Sequence, residues 1–485
     1  MKNSSLLEVW TTLSDEDKKQ IRRAVHSPFF NQRKEITALL EYLEKQQVSF
    51  SAARRKTGRT NQQAEMLSKT SAFKVIYSSD YQKRGYNDLK MRQLMSALLE
   101  IIRQVLAVNY LKSVPFQIEL NALKWLKAQG YEQLFEKNIS KIKVKTGRLP
   151  QQGEDFFLNQ FLLEQENWEH IRQRQRTGQE YLLAMNTSFS AYVAINTLRQ
   201  ACSVKSQQSV AATTVRINYL QETLQLVQSG NFSDIPAVDA WHAAYQALTS
   251  ADATFFFRLK QYITAQSALF PPNDLRDLYV LAINVCIKKI NTSNKDFFQQ
   301  AFELYKSGLQ LGLFLENGHL SKFTYRNVLN VAAALEEWDW AFQYLSEFKS
   351  FLPPKDQENT FTYNLATFYF RKKEYGTAQT LLARTELKDH LENFDSRRML
   401  LRIYYETGEW QALQSLADSF EVYLRRNKSG GYHREMYLNF VRLLKRILAL
   451  LPSDIKAKDK LLQEIIQCEY LAEREWLTGI TQRIR

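Results

Sequence analysis

Glycine and proline are scarce in this chain, with 15 and 9 among 485 residues, and a turn-rich all-β protein needs more of both. Helices are therefore the expected elements. Cysteine is scarcer still: Cys202, Cys286 and Cys468 stand far apart, without the C-x-x-C spacing of a metal or redox site. Such a sparse set suits a reducing compartment, each thiol acting as a small apolar group. The first residues lack the apolar core of roughly 7 to 15 residues that marks a signal peptide. No apolar run approaches the roughly 18 residues that span a bilayer. The expectation is a cytoplasmic protein without a transmembrane segment.

Catalytic signatures are missing as well. The six histidines, His26, His170, His242, His319, His390 and His433, are scattered and form no H-E-x-x-H. Glu166 and His170 could share a helix face, but no third metal ligand joins them, so they read as a surface pair. No G-x-x-x-x-G-K-[ST] cradle, G-x-G-x-x-G turn or G-x-S-x-G elbow occurs. The adjacent Glu336 and Glu337 fall in a turn, where solvent is expected. The sequence thus predicts no enzyme, no cofactor and no metal.

What is present is a soluble-type composition, 45% hydrophobic and 24% charged, with an uneven net charge of +14. Residues 1–150 hold 27 Lys and Arg against 14 Asp and Glu, so nearly all of the excess lies there. That bias favours an anionic partner, whether nucleic acid, an acidic protein surface or anionic lipid, and is equally consistent with a solvated basic face. The cluster Arg54, Arg55, Lys56 and Arg59 around Gly58 reads as part of a loop able to contact phosphates. Lys83, Arg84, Lys90 and Arg92 follow it, and Phe50, Phe73, Tyr77 and Tyr81 could stack on bases.

Helix punctuation is legible. Ser14 before Asp15-Glu16-Asp17 makes an N-cap, with acidic residues at the positive end of the dipole, and Ser27-Pro28 should end that helix. Asn31 can cap the next helix, and Phe29 and Phe30 read as buried anchors in the elbow between the two. From Asn87, Leu94, Met95, Leu98, Ile101, Ile102, Val105 and Leu106 recur at steps of three and four, as a core-facing helix requires. The turn-rich stretch 147–153 suggests a boundary. Four regions result: a basic helical domain over 1–150, degenerate helix pairs over 151–312, clear repeats over 313–426 and capping helices over 427–485.

The clear repeats lie between Phe323 and Phe420. Leu365, Ala366, Tyr369, Tyr375, Ala378 and Leu382 set a frame that returns as Leu400, Leu401, Tyr404, Trp410, Leu413 and Ala417. It also appears earlier as Val328, Leu329, Ala332, Trp338, Ala341 and Leu345. A period in this range marks helix pairs that must stack on neighbours to bury their apolar stripes. The spacing resembles the tetratricopeptide repeat family. That resemblance implies an all-α, right-handed solenoid of antiparallel hairpins whose first helices line a groove for a peptide or protein segment. Projected onto this chain, the groove comprises Phe323, Arg326, Asn327, Asn330, Tyr363, Asn364, Thr367, Arg371, Arg398, Arg402 and Tyr405. Some family members hold a peptide C-terminal carboxylate with a basic residue and two asparagines. Arg326, Asn330 and Asn364 fall at similar places, while Asp395 and Met399 stand where that clamp has cations. Ser27-Pro28-Phe29-Phe30-Asn31 together with residues 86–96 is similar to the opening of an uncharacterised group of bacterial helical repeat proteins. Two readings stay open: a noncatalytic scaffold for a protein segment, and a nucleic-acid-associated regulator using the basic N-terminal third.

Overall fold

The computed structural model describes every residue except 1–3, 57–67, 173–178, 209–214, 293, 386–388, 427–430, 452–453 and 485, and describes the backbone alone at 47–56, 208 and 432. The fold is all-α. Among the described residues 24 α-helices follow one another, each packing chiefly on helices near it in sequence. The chain divides into two compact units, one of residues 1–148 and 159–186, the other of 149–158 and 187–485.

In the first unit the helix Asp88–Ser113 is central. It starts at Asn87, whose side chain accepts from the Lys90 amide, and it buries Met91, Leu94, Met95, Leu98 and Ile102. These pack with Trp10, Ile21, Leu39, Leu40 and Phe73 from the preceding helices in one core. By length and composition this helix could cross a membrane, so its apolar content exceeds what the search for uninterrupted runs suggested. Ser14 forms a reciprocal capping box with Asp17 at the start of helix Asp15–Val25. Asn31 instead ties the elbow together, donating to Val25 O at 2.9 Å and Thr37 Oγ1 at 3.1 Å.

Two expectations for this unit are corrected. Ser51–Lys56 continues the helix Lys34–Lys56 instead of opening a loop, because its Ala and Arg residues are good helix formers. Phe29 is 88% exposed, since Pro28 turns the chain so that only Phe30 leans on the core.

In the second unit the repeat frame becomes three helix pairs: Lys322–Ala334 with Trp338–Phe348, Gln357–Arg371 with Tyr375–Ala383, and His390–Thr407 with Trp410–Arg426. Ala332, Ala341, Ala366, Ala378 and Ala417 are fully buried, where small side chains let helices approach closely. All three turns close alike. One residue enters the left-handed region, Glu336 (φ 59°), Lys373 (φ 67°) or Gly408 (φ 76°). The next amide then donates back to the first helix: Glu337 to Ala332 O at 3.0 Å, Glu374 to Tyr369 O at 2.9 Å, Glu409 to Tyr404 O at 2.8 Å. These bonds satisfy carbonyls that a helix end leaves open. The same turn recurs in the first unit at Gly130 (φ 74°), where the Tyr131 amide donates to Leu126 O at 3.0 Å. Leu123, Phe135 and Ile139 are buried there at the positions that Leu329, Ala341 and Leu345 occupy in the later pair. The turn fixes the register, and the register fixes which residues face inward.

The sole β structure among the described residues is a two-residue pairing, Leu315–Glu316 with His319–Leu320. It turns through Asn317 and Gly318, both at positive φ, as a tight hairpin requires. Just before it, Phe314 folds back over Gly308, where an added Cβ would lie 2.5 Å from the ring. Gly308→Ala should therefore cost about 1–3 kcal/mol by overpacking, while Gly376→Ala, with nothing within 4 Å, should be neutral or slightly stabilising. Urea denaturation of the two variants checks the contrast.

Candidate functional site

The first helices of the three pairs carry polar side chains at helical spacing: Arg326 and Asn330, then Tyr363, Thr367 and Arg371, then Asp395, Arg398 and Arg402. Steps of three and four place each set on one face. Asp395 is the hub. It accepts from Tyr363 Oη at 2.8 Å, Tyr437 Oη at 3.2 Å and Arg398 Nε at 2.8 Å. Burial alone would raise its pKa, but the Arg398 charge and these hydrogen bonds hold it down at about 2. Tyr363 and Tyr437 are pushed far up by burial and by that carboxylate.

Arg398 and Arg402 also reach a residue from far along the chain. Glu473, held in the left-handed region (φ 55°) between the last two described helices, pairs with Arg398 and with Arg402, the latter at 2.7 Å. Trp476, one turn further on, packs on Tyr405 at 5.2 Å and donates its indole N–H to Glu406 at 2.6 Å. Phe370 lies between the two guanidinium groups, 5.2 Å from Arg398 and 5.3 Å from Arg402. Two of the arginines projected onto the groove are thus already bound to the chain's own carboxylate.

The other projected residues divide by exposure. Tyr363 and Asn364 are sealed, at 2% and 1%. Asn364 donates to Thr360 O at 2.7 Å, and its Oδ1 has no partner. Thr367 is also buried, and Asn327 lies near enough to the Tyr305 hydroxyl to oppose the rise that burial causes in its pKa. Arg326 and Asn330 are half-buried, and Arg371 is exposed. Neither Arg326 nor Arg371 has a carboxylate partner within ion-pair distance among the described residues. Arg326 lies over Phe323 at 5.8 Å and is close enough to Tyr363 and Tyr437 to ease both pKa shifts. Arg371 keeps solvent access while protein atoms crowd it on several sides. That crowding, then repulsion by Arg398, depresses its pKa against the pull of Glu473 and Asp395.

At the starts of the same three helices a polar cavity of about 380 Å³ opens beside Lys322, Lys355, Asp389 and Glu392. Lys322 bridges its carboxylates, at 3.4 Å from Asp389 and 3.6 Å from Glu392. With Asp356 also lining it, three carboxylates face two lysines there, in contrast to the arginine face.

Elsewhere the structure separates residues that the sequence paired. Glu166 binds Lys124 and Lys127, whereas His170 faces Glu136 at 3.2 Å and stacks on Phe135. Among the described residues no group of three or more His, Cys, Asp or Glu is placed to hold a metal ion. Cys202 and Cys286 are buried free thiols, raised by burial. Of the basic N-terminal set, Lys90 is bound to Asp80 and Arg92 to Asp88. The side chains of Arg54, Arg55 and Lys56, and all of Arg59, lie outside the described residues.

Sequence reasoning missed Glu473 and Tyr437 as members of this network. The signal for a missing carboxylate was there, since Arg398 and Arg402 lie four apart on a face that must pack, but nothing local says which distant residue supplies it. Compared with family models and with curated proteins, the chain matches none.

Proposed function

We propose that this chain is a noncatalytic protein-interaction scaffold. In this reading its helix pairs are tetratricopeptide-like hairpins stacked as a right-handed solenoid, and an acidic segment of a partner lies along the first helices of the three repeats. The observation that carries the reading is Arg371: an exposed residue, without an ion-pair partner among the described residues, whose guanidinium is crowded by Arg398 and Arg402. A carboxylate brought there relieves like-charge repulsion and gains a bidentate partner. Arg326 and Asn330 supply a second cation and an amide along the same wall, and Glu473 shows which chemistry this wall accepts, because a carboxylate is what it already holds.

The test is selection of displayed 12-residue peptides on the full-length chain. Enrichment of Asp and Glu is expected, with affinity falling at least tenfold in Arg371→Glu and severalfold in Arg326→Ala. Peptides without acidic residues, or affinity unchanged in Arg371→Glu, would sink the proposal. The nucleic-acid reading has its own signature: duplex DNA or RNA bound with a steep salt dependence and indifferent to Arg371→Glu.

A further inference from the structure

A trough in the first unit lies far in sequence from the arginine wall. It has a volume of about 380 Å³ and runs between helix Asp15–Val25, the elbow at Ser27–Phe30 and the end of helix Asp88–Ser113. Its floor is apolar, formed by Ala24, Phe30, Val105 and Val108. Arg23 and Lys112 stand at its sides, both exposed, and neither has a carboxylate partner among the described residues. Asn109 also lines the trough, and its side-chain nitrogen is shielded from bulk water and has no hydrogen-bond partner. A buried amide N–H left open is unfavourable by about 1–3 kcal/mol, and an acceptor entering the trough would remove that penalty.

The apolar surface continues beyond the trough. Phe29, 88% exposed, meets Phe30 edge-on at 5.1 Å. Val108, on the trough's own floor, is itself 40% exposed. Free-standing aromatic and aliphatic groups beside a basic trough mark a surface that is completed by something else. The excess positive charge of residues 1–150 gives that occupant its sign.

We infer that this trough docks an acidic, apolar segment of a partner protein, a carboxylate meeting Arg23, Lys112 and Asn109 while a Leu, Ile or Phe side chain covers Phe30 and Val108. Three donors of this kind suit one carboxylate, and the apolar floor supplies area that a bare phosphate or a nucleic-acid backbone would leave uncovered. The site is separate from the arginine wall and stands whether or not that wall binds anything.

The experiment is selection of displayed 12-residue peptides on the full-length chain in parallel with full-length Arg371→Glu. Peptides bearing Asp or Glu within three positions of Leu, Ile or Phe should be retained by both baits. Affinity for the leading peptide should fall at least tenfold in Lys112→Glu and in Arg23→Glu, and severalfold in Asn109→Ala. It should be unchanged in Lys83→Glu, an exposed cation of the same unit that lies outside the trough. Arg23, Lys112 and Lys83 are exposed, so their variants should fold, which circular dichroism verifies. Failure to select such peptides, equal loss in Lys83→Glu, or indifference to Lys112→Glu would overturn the inference. So would binding of phosphatidylserine vesicles, of duplex DNA or of a second copy of the chain that is lost in Lys112→Glu. Loss in Arg371→Glu alone would assign the peptide to the arginine wall and overturn this site only.

Discussion

Asp395→Ala is expected to lower the stability of the C-terminal repeats by about 3–5 kcal/mol, as removal of one partner from a buried ionic network does. The substitution strands three donors at once. Tyr363 is 2% exposed, Tyr437 7% and Arg398 8%, so water cannot readily replace the lost carboxylate. Arg398 would keep Glu473 alone, and Arg402 competes for it. Asp395→Asn, which preserves one acceptor oxygen, should cost less. Chemical denaturation followed by intrinsic fluorescence reads both, since Trp410 and Trp476 lie in this region. A loss below about 1 kcal/mol, the worth of an ordinary hydrogen bond, would show that the hub is dispensable.

The same residue sets a pH dependence. Its ordinary pKa of 3.8 is lowered in the fold to about 2. A depressed carboxylate contributes stability when ionised, so the contribution is complete above about pH 5 and is lost as pH falls through about 4 toward 2, amounting to roughly 2 kcal/mol. The difference in stability between the natural chain and Asp395→Asn should therefore shrink across that window and stay constant from pH 5 to 7. A difference that does not change with acidification would mean that the carboxylate is not held in its ionised form.

How much of this was legible in the sequence depends on the range of the interaction. Local signals read correctly: Ser14 caps its helix through Asp17, and Leu94, Met95, Leu98, Ile101, Ile102 and Val105 face the core from the helix that follows Asn87. Each depends on spacings of about one turn. The repeat frame also located the buried small residues, because period and burial are linked by helix geometry. Its aromatic positions were less faithful. Trp410 is 57% exposed, resting edge-on against Tyr405, because a large ring at the start of a second helix can cover a neighbour without being enclosed.

The hairpin at Asn317-Gly318 had a sequence signal, the Asn-Gly pair, which was overshadowed by the helical pattern around it. Left-handed turns at Glu336 and Lys373 had none. Glycine marks such a position in the third pair, whereas the first two tolerate a strain of about 1 kcal/mol in a non-glycine residue because the carbonyl bond closing the turn holds it. The arginine network was least legible. Arg398 announces that it needs carboxylates, but Asp395 is three residues away and Glu473 is 75, and only the packing of the last helices brings the second into range.

Arg199 makes the complementary prediction, around a carboxylate whose pKa is raised instead of lowered. Its guanidinium lies 3.3 Å from Glu154, 3.5 Å from Asp274 and 2.8 Å from Asp277, and over Trp241 at 5.8 Å. Asp274 is 5% exposed. Burial raises its pKa, and Glu154, Asp277 and Asp155 add to the rise while Arg199 opposes it. Arg199→Met keeps the apolar stem against Trp241 but leaves Asp274 buried among like charges, and should cost about 3–5 kcal/mol at pH 7. An acid whose pKa is raised in the fold destabilises when ionised, so stability is greater below the raised value and falls as pH rises through it. Removing Arg199 raises Asp274 further, and the gap between the natural chain and the variant should therefore narrow as pH falls from 7 toward 5. Arg199→Met with Asp274→Asn should recover most of the loss at pH 7, because the charge that needed the arginine is gone. A gap that is independent of pH, together with a double variant no better than the single one, would place the role of Arg199 in packing against Trp241 instead of in neutralising Asp274.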